Sequence, residues 1–475
     1  AVLLCAATPS SDPANLALRI VRQRGRVVVV GSVGMDLARA DFYRKEVEFT
    51  ISCSYGPGRY DPTYEEGGLD YPIGFVRWTE NRNLSAFLEL VAAGKVVPEA
   101  LLAAEHPLAE APAAYAAAKA GAAGGVAWVL RYPGAAAPAR TIARATASAA
   151  KPSGAIGVAV IGAGGFAAST LLPGLAADPA FALRSVVTRT GASAARIAAE
   201  FSSPKASTDA GDAFTDPSVD AVVISTRHDS HATLARAALA AGKHVFLEKP
   251  MAIERGELDA LREEAARSGR VFTVGYNRRY APLCLAVRDV LAKLPGPRVA
   301  IYRVNAGAVP TGHWTLDPAV GGGRIVGEAC HMLDLLAFWL GPDVVDCSAS
   351  GSPARGAGAA SPEDFAASLR FRGAEGDHVA SLVYTALGSR EVAKERVEIH
   401  AGGATLVLDD FTSLEVYGAQ RTSTRLKRAD KGHRAELAAF RDAIRGAPSP
   451  LLGVQEAWRA ADLALRIDAM VRGSR

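Results

Sequence analysis

Two motifs in this chain of 475 residues carry residue types that could bind a phosphate and assist proton or hydride transfer. The first, Gly162-Ala163-Gly164-Gly165-Phe166-Ala167, directly follows the apolar run Ala155 to Ile161. A strand that ends in glycines and continues into a helix presents bare backbone N–H groups at the positive end of the helix dipole, where a pyrophosphate binds. The second motif, Glu248-Lys249-Pro250, follows the apolar strand Val245–Leu247. Together the two motifs predict a dinucleotide site with a lysine beside it.

Lys249 and His331 have the side chains that the chemistry would need. A lysine ammonium beside a carbonyl oxygen stabilises the negative charge that develops during hydride transfer, and it could also hold a substrate hydroxyl in place. Pro250 fixes the backbone next to the lysine. A histidine is the natural group to accept a hydroxyl proton near neutral pH, although a single histidine is more often a core residue whose hydrogen bonds are satisfied.

Two carboxylates accompany this histidine on the same predicted helix. Glu328, His331 and Asp334 are spaced i, i+3, i+6 at the start of the apolar helix Met332 to Leu340, which places them roughly on one face. We predict that Glu328 acts with His331 in proton transfer and that Asp334 faces the substrate.

Further cofactor contacts are predicted at the strand ends of the same sheet. An acidic residue normally binds the ribose hydroxyls after the second strand, but Thr188 and Arg189 stand there. An arginine can pair with a 2′-phosphate, so NADP should bind at least as well as NAD; an arginine that stacks on adenine or points to solvent is the alternative. Thr226, His228 and His231 follow the next strand and are predicted at the cofactor crevice, with His231 as a helix cap as the alternative reading.

Strand and helix patterns divide the chain into four segments. Strands alternate with helices over 155–275, which predicts an α/β Rossmann domain with a doubly wound parallel sheet. Short alternating strands over 276–475 predict an α+β domain with an open-faced, mostly antiparallel sheet for substrate and oligomer contacts. Residues 133–154 are rich in Ala, Pro, Gly and Ser and predict a linker. Residues 1–132 read strand, helix, strand, which predicts a partial Rossmann-like α/β segment.

Composition excludes several classes of protein. The net charge is only +4 and the charges are well mixed, which argues against a nucleic-acid partner. The basic stretch 421–434 is either a solvated surface or a landing site for an anionic sugar nucleotide or polymer. Five cysteines without a CxxC pair favour a reducing cytoplasm, and no apolar run is long enough to predict a membrane span. No metal site is predicted.

These motifs, together with Gly275-Tyr276-Asn277-Arg278-Arg279-Tyr280 and Gly327-Glu328-Ala329-Cys330-His331, resemble those of the Gfo/Idh/MocA oxidoreductases. The resemblance covers about 152–475 and implies reversible oxidation of a sugar, sugar nucleotide or cyclitol hydroxyl by NAD or NADP in sugar or polysaccharide metabolism. It implies Lys249 and His331 as the catalytic pair. The family often has an aspartate where this chain has Gly327, and Glu328 is the candidate substitute.

The same resemblance leaves some roles open. Tyr276, Asn277 and Arg278 are candidates for the substrate pocket, whereas Arg279 or Tyr280 could be buried structural pairs. A glycosidase that oxidises its substrate transiently with bound NAD, or a regulator that only binds the dinucleotide, are the alternative functions.

The stretch from Val2 to about Tyr115 resembles the C-terminal portion of a zinc-type medium-chain alcohol dehydrogenase. Its segments Tyr55–Pro62, Asp70–Pro72 and Val76–Asn83 resemble those of bi-domain oxidoreductases, in which such a dehydrogenase precedes a Gfo/Idh/MocA unit. Residues 1–132 have neither a glycine-rich phosphate loop nor the Cys/His ligands that zinc needs. We therefore expect a truncated domain or a module reduced to packing.

Overall fold

The computed structural model describes residues 1–121, 126–132, 140–144, 151–310, 312–352, 362–418 and 420–473. The chain forms two compact units, Ala1–Ala137 and Pro138–Arg475. Most of the predicted linker, residues 133–139 and 145–150, lies outside the described residues.

The first unit is built around small parallel sheets. Its elements are β1 (Val2–Leu4), α1 (Asp12–Ile20), β2 (Arg26–Val29), α2 (Arg39–Lys45), β3 (Glu48–Ile51), α3 (Pro62–Glu65), α4 (Glu80–Ala92), β4 (Leu102–Pro107), α5 (Ala111–Lys119) and β5 (Ala127–Arg131). The strands pair in the order β1-β2-β3, all parallel, and β4 pairs in parallel with β5. Leu18 and Val27 are fully buried between α1 and the sheet. The predicted strand–helix–strand order with parallel pairing is therefore present.

The second unit begins with a doubly wound sheet. Its elements are β6 (Thr141–Ala143), β7 (Ile156–Ile161), α6 (Leu172–Ala177), β8 (Phe181–Val187), α7 (Gly191–Glu200), β9 (Lys205–Ser207), α8 (Ala210–Thr215), β10 (Ala221–Ile224), α9 (His231–Ala240), β11 (His244–Leu247), α10 (Arg255–Arg267) and β12 (Phe272–Val274). The order is β12-β11-β10-β7-β8-β9-β6, and every pair is parallel except β6 with β9. From β9 to β12 this is the Rossmann order, and the strand order reverses beside β7, where such sheets bind ligands at the carboxyl ends of the strands. The predicted Rossmann domain is confirmed.

A larger sheet follows in the same unit. Its elements are α11 (Pro282–Leu291), β13 (Arg298–Asn305), α12 (Cys330–Leu340), β14 (Val344–Gly351), β15 (Phe365–Phe371), β16 (His378–Thr385), β17 (Glu395–Ala401), β18 (Ala404–Asp409), β19 (Ser413–Tyr417), β20 (Thr422–Arg425), α13 (His433–Ile444) and α14 (Val454–Gly473). The eight strands pair in the order β14-β15-β16-β13-β17-β18-β19-β20, antiparallel except for β13 with β16. Buried and exposed residues alternate along β15, so one face of the sheet packs on the core and the other faces outward. This confirms the predicted open-faced sheet.

Two segments differ from the sequence-based boundaries. Thr141–Ala143, inside the predicted linker, pairs with the edge strand β9, because an edge strand offers unpaired backbone groups that a short segment can satisfy. Leu437 and Phe440 of α13 pack in the core of the Rossmann sheet, where the Phe440 ring lies 5.8 Å from that of Phe246. The chain after residue 276 therefore returns to the nucleotide-binding sheet.

No helix in the described part of the chain is long and apolar enough to cross a membrane. Among the same residues, no three His, Cys, Asp or Glu side chains lie where they could hold a metal ion.

Candidate active site

A cavity of about 410 Å³ opens at the carboxyl ends of β7, β10 and β11. Side chains from the Rossmann sheet line one part of it, and side chains from the elements that follow β12 line the rest. Both the lysine and the histidine that the sequence singled out, Lys249 and His331, lie in its wall. The cavity therefore brings together residues that are 82 positions apart in the sequence (331 − 249).

The glycine loop after β7 has the shape that a bound phosphate requires. Gly162 has a φ of +82°, and a Cβ there would lie 2.5 Å from the backbone nitrogen of Thr226, so only glycine fits. A Cβ at Gly165 would meet nothing within 4 Å, which leaves the loop open on the side away from the sheet. Ala163 is buried, and Gly164 follows it in the loop. The half-exposed side chain of Phe166 lines the cavity. A wide helical turn, Ala167–Leu171, leads from the loop into α6.

Thr188 and Arg189, which follow β8, lie where the sequence predicts contacts with the adenosine ribose of NAD or NADP. Thr188 Oγ1 donates to the Thr190 carbonyl at 2.8 Å, so this hydroxyl is engaged within its own turn. Arg189 is exposed and forms no hydrogen bond or ion pair with any described residue. Its guanidinium is therefore available to a phosphate on the adenosine ribose.

The loop after β10 contributes Thr226 and two buried histidines, His228 and His231, to the cavity wall. Nδ1 of His228 lies 2.7 Å from the Gly321 carbonyl oxygen, and its ring is edge-on to Trp314 at 4.8 Å. The nitrogens of His231 lie 2.8 Å from the Pro250 oxygen and 3.2 Å from the Thr226 oxygen. Both nitrogens of His231 thus face backbone carbonyls of neighbouring segments, so it neither caps its helix nor presents a free nitrogen to a cofactor.

These two histidines are uncharged in neutral solution. Burial, together with the nearby charge of Lys249, lowers the pKa of His228 to about 2. Burial likewise lowers the pKa of His231 to about 4, although the two carbonyl contacts favour its protonated form. Each imidazole therefore has a single N–H to donate.

Lys249 extends from the end of β11 across the cavity. Its Nζ donates a hydrogen bond to the Gly327 carbonyl oxygen at 2.8 Å. The backbone N–H of Lys249 is 3.2 Å from Oε2 of Glu248, which is buried beneath it. Burial raises the pKa of Glu248 to about 7, although the charge of Lys249 opposes this. A Cβ at Gly275 would lie 3.0 Å from Oε1 of Glu248, so a larger residue there would press on this carboxyl group.

His331 is placed as an uncharged base. It lies just after the wide turn Ile325–Ala329, at the start of α12, and its ring packs edge-on against Tyr276 at 5.8 Å. Nδ1 lies inside the protein without a hydrogen-bond partner among the described residues, so Nε2 is the nitrogen that remains accessible. Burial, followed by the charges of Arg278 and Lys249, lowers the pKa of His331 well below its ordinary value of 6.5. The imidazole is therefore uncharged near neutral pH and carries a free lone pair, while the same surroundings make it a weaker base than a histidine in water.

Glu328 lines the cavity but is fully engaged as an anion. Its oxygens accept from Lys394 Nζ at 2.6 Å and Tyr384 Oη at 2.7 Å, and Arg324 Nη1 lies 3.1 Å away. Burial alone would raise the pKa of Glu328, but Lys394 and Arg324 lower it to about 2. A carboxylate held in this way does not exchange protons near neutral pH. The geometry contradicts the predicted proton-transfer role and makes Glu328 an anchor for two cations.

Asp334 does not face a substrate. It is 1% exposed, lies outside the cavity wall, and binds the Arg279 guanidinium through two hydrogen bonds of 2.6 and 3.1 Å. The prediction of a substrate contact is wrong, because Asp334 is the partner that the buried Arg279 requires. The alternative reading of Arg279 as part of a buried structural pair is correct.

The segment after β12 supplies part of the predicted pocket wall. Tyr276 is fully buried behind His331 and is not part of the wall, which corrects that prediction. Asn277 and Arg278 do line the cavity. Asn277 Nδ2 donates to the Lys431 carbonyl at 2.7 Å, and Arg278 donates two hydrogen bonds of 2.9 Å to Glu395.

The sequence analysis did not name several residues of the cavity wall as individual site residues. They are Trp314, Arg324, Lys431 and His433. Lys431 and His433 belong to the basic stretch 421–434, and Lys431 Nζ lies 3.1 Å from Oε1 of Glu395. This stretch carried a signal, since an anion-binding role was one of its two readings. Trp314 carried none, because an isolated tryptophan in a glycine-rich loop gives no pattern.

The residues present fit a dinucleotide. The glycine loop packs against the Ser225–Thr226 backbone so closely that a Cβ at Gly162 would collide with it, and the loop is open at Gly165. Arg189 is exposed after the second strand, and Lys249 and His331 line the same cavity. In a dinucleotide bound as Rossmann sheets bind it, the phosphates would meet the loop, and Lys249 and His331 would be available to the reactive ring.

Two segments of the second unit match models of known protein families. Residues 156–276 match the family described as GFO_IDH_MocA, oxidoreductase family, NAD-binding Rossmann fold, and residues 298–407 match the GFO/IDH/MocA C-terminal domain. Both matches lie within the second unit, so a medium-chain dehydrogenase origin for residues 1–132 stays a prediction.

Named relatives are similar over parts of this unit. A 1,5-anhydro-D-fructose reductase from Ensifer adhaerens is 34% identical over 138 residues, covering 28% of this chain and 41% of the relative. A myo-inositol 2-dehydrogenase from Thermotoga maritima is 26% identical over 156 residues, covering 31% and 44%. The chain thus spans less than half the length of these two relatives. The solved structure of UDP-N-acetylglucosamine 3-dehydrogenase GnnA from Acidithiobacillus ferrooxidans is 25% identical, with a TM-score of 0.58, and covers 67% of this chain and 98% of that one.

Proposed function

We propose that this chain, in which residues 156–276 match the Gfo/Idh/MocA NAD-binding domain and residues 298–407 the Gfo/Idh/MocA C-terminal domain, is an NAD(P)-dependent sugar dehydrogenase or reductase. It would transfer a hydride between the nicotinamide and a hydroxyl or carbonyl carbon of a sugar, sugar nucleotide or cyclitol. The observation that carries this proposal is that Lys249 and His331 line one cavity at the carboxyl end of a sheet with an open glycine loop.

The state of the two side chains supports their roles. His331 is neutral and has one accessible nitrogen, so it accepts the hydroxyl proton as the substrate is oxidised. The Lys249 ammonium is free to exchange the Gly327 carbonyl for the substrate oxygen, where it stabilises the charge that develops as the carbonyl forms. When bound, an oxidised nicotinamide would supply the acceptor for the hydride that leaves the substrate's carbinol carbon. The products are a carbonyl compound, a reduced cofactor and a protonated histidine, and in the reverse direction His331 returns the proton.

Arg189 supports NADP as the preferred cofactor. The strand end offers no carboxylate for a ribose 2′-hydroxyl, and the guanidinium is exposed and unengaged among the described residues. An NADP preference is therefore part of the proposal.

The outward face of the large sheet supports self-association. Val299 and Val379 lie directly opposite each other on β13 and β16 and are 46% and 40% exposed. Ile301 and Val383 continue the same apolar strip and are also exposed. We infer a homo-oligomer that covers this strip. A double Val299→Glu, Val379→Glu variant should sediment as a monomer where the wild type sediments as an oligomer; a monomeric wild type would refute the inference.

The test of the activity is the appearance of reduced-nicotinamide absorbance over a panel of sugars, cyclitols and sugar nucleotides, each with NAD and with NADP. We expect turnover with at least one substrate and its loss in Lys249→Ala and His331→Ala. Turnover that leaves no reduced cofactor would instead indicate an enzyme that oxidises its substrate only transiently.

A further inference from the structure

His231 is a completely buried histidine for which the proposed reaction has no direct use. It is the first residue of α9, and its two ring nitrogens face two different backbone segments. Nδ1 lies 2.8 Å from the carbonyl oxygen of Pro250, and Nε2 lies 3.2 Å from the carbonyl oxygen of Thr226. The ring therefore bridges the end of β10 and the turn that follows β11.

A neutral imidazole can satisfy only one of these carbonyls. Burial keeps the ring uncharged in neutral solution, so one nitrogen carries the hydrogen and the other carries a lone pair. The shorter contact, to Pro250, has the length of an N–H···O hydrogen bond, whereas the contact to Thr226 is long. The hydrogen is accordingly assigned to Nδ1 and the hydrogen bond to Pro250.

Pro250 follows Lys249 in the sequence, and its carbonyl oxygen accepts the hydrogen bond from His231 Nδ1. The lysine side chain then extends to the Gly327 carbonyl at 2.8 Å. His228, on the same loop as His231, lies 2.7 Å from the carbonyl of Gly321, in the segment that leads to Gly327. Both ends of the Lys249–Gly327 contact are thus attached to one loop, Thr226–His231.

We propose that His231 is a positioning residue for Lys249: its Nδ1–H···O bond to Pro250 sets where the lysine ammonium lies in the cavity. This inference rests on the proposed function, since it assigns His231 a task in the same reaction. His231 touches neither of the reacting groups and acts only through the Lys249–Pro250 turn. Because a displacement of about 1 Å in a reacting group can lower the rate about 100-fold, the position of this turn affects kcat directly.

A pair of isosteric amides tests the assignment. In His231→Asn the amide nitrogen can occupy the position of Nδ1 and keep the bond to Pro250. In His231→Gln the amide nitrogen can reach the position of Nε2, which faces Thr226. We expect kcat of the Asn variant within about threefold of wild type, and kcat of the Gln variant lowered about 100-fold with little change in the cofactor KM. His244→Gln, at the opposite end of β11, is the matched control and should leave kcat unchanged.

A second measurement separates this proposal from the proposed function. Reductive methylation with a carbon-13 label gives each lysine an NMR signal, and the signal missing in Lys249→Arg identifies Lys249. Its chemical shift should match wild type in the Asn variant and differ in the Gln variant, whether or not a substrate is known. Equal losses in both variants, or a Gln variant equal to wild type in both measurements, would overturn the positioning role. A wild type without turnover but with the expected shifts would refute only the proposed function.

Discussion

Glu328 is the residue whose sequence-based prediction and structure disagree most sharply. The sequence predicts a role in proton transfer, whereas the structure makes its carboxylate an anchor for Lys394 and Arg324, and replacing Glu328 by glutamine distinguishes the two roles. The pKa of this side chain falls from an ordinary 4.5 to about 2 because Lys394 and Arg324 hold it ionised. A difference of about 2.5 pKa units corresponds to roughly 3 kcal/mol of stability at neutral pH, at about 1.4 kcal/mol per unit. Glutamine keeps the shape and the Tyr384 contact but leaves Lys394 and Arg324 without a counter-charge. We expect Glu328→Gln to lower the free energy of unfolding by about 3 kcal/mol.

Urea unfolding as a function of pH measures this loss. The pKa of Glu328 is lower in the folded protein, so its stabilisation is fully present above about pH 4.5 and is lost as the pH falls towards 2. The stability difference between wild type and Glu328→Gln should shrink over the same interval, and kcat per folded molecule should stay within about threefold of wild type. Glu391→Gln, at an exposed position three residues before Lys394 in the sequence, is the control and should change neither quantity. A variant that unfolds like wild type but loses 100-fold or more in kcat would refute the anchor role and restore Glu328 to proton transfer.

Three further outcomes follow from the geometry. Arg189→Asp should lower kcat/KM for NADP by about ten- to a hundredfold and leave kcat/KM for NAD nearly unchanged, because a charged hydrogen-bond partner of the 2′-phosphate is lost. Parallel kinetics with both cofactors measure this, and an unchanged NADP preference contradicts it. Asp334→Asn should destabilise the fold by about 3–5 kcal/mol in urea, because Arg279 is left buried without its partner, while kcat per folded molecule is unchanged. Glu248→Gln should have a higher free energy of unfolding than wild type above about pH 8. The pKa of Glu248 is raised to about 7 in the folded protein, so wild type loses stability as the pH rises through that value. Urea unfolding as a function of pH measures this, and the same pH dependence in the variant and in wild type would refute the assignment.

Local patterns in the sequence were sufficient for much of the Rossmann domain. β7 spans Ile156–Ile161, as the apolar run predicts, because a strand covered on both faces is apolar along its whole length. The glycine loop was also readable, since its conformation depends on residues adjacent in sequence. Lys249 and His331 were found from residue type and position, and the fold places both in one cavity.

The sequence pattern did not predict the direction in which individual polar side chains point. Asp334 is one helical turn beyond His331, yet it faces away from the cavity because Arg279, 55 residues earlier, binds it. Glu328 and Lys394 are 66 positions apart and meet only when β17 packs near the wide turn before α12. Lys431 entered the site for the same reason, through Glu395. Such pairings are set by tertiary packing, and periodicity along one element carries no information about them.

The central claim is that this cavity transfers a hydride between a nicotinamide and a sugar-type carbon with His331 moving the proton. It is tested most directly with reduced NADP and reduced NAD that carry deuterium at C4, mixed with the ketone forms of a sugar and cyclitol panel and analysed by mass spectrometry. The account predicts one deuterium on carbon in the alcohol product of wild type, and the same product formed about 100- to 10,000-fold more slowly by His331→Ala. Cofactor binding without deuterium in any product, or a His331→Ala variant as fast as wild type, would contradict it.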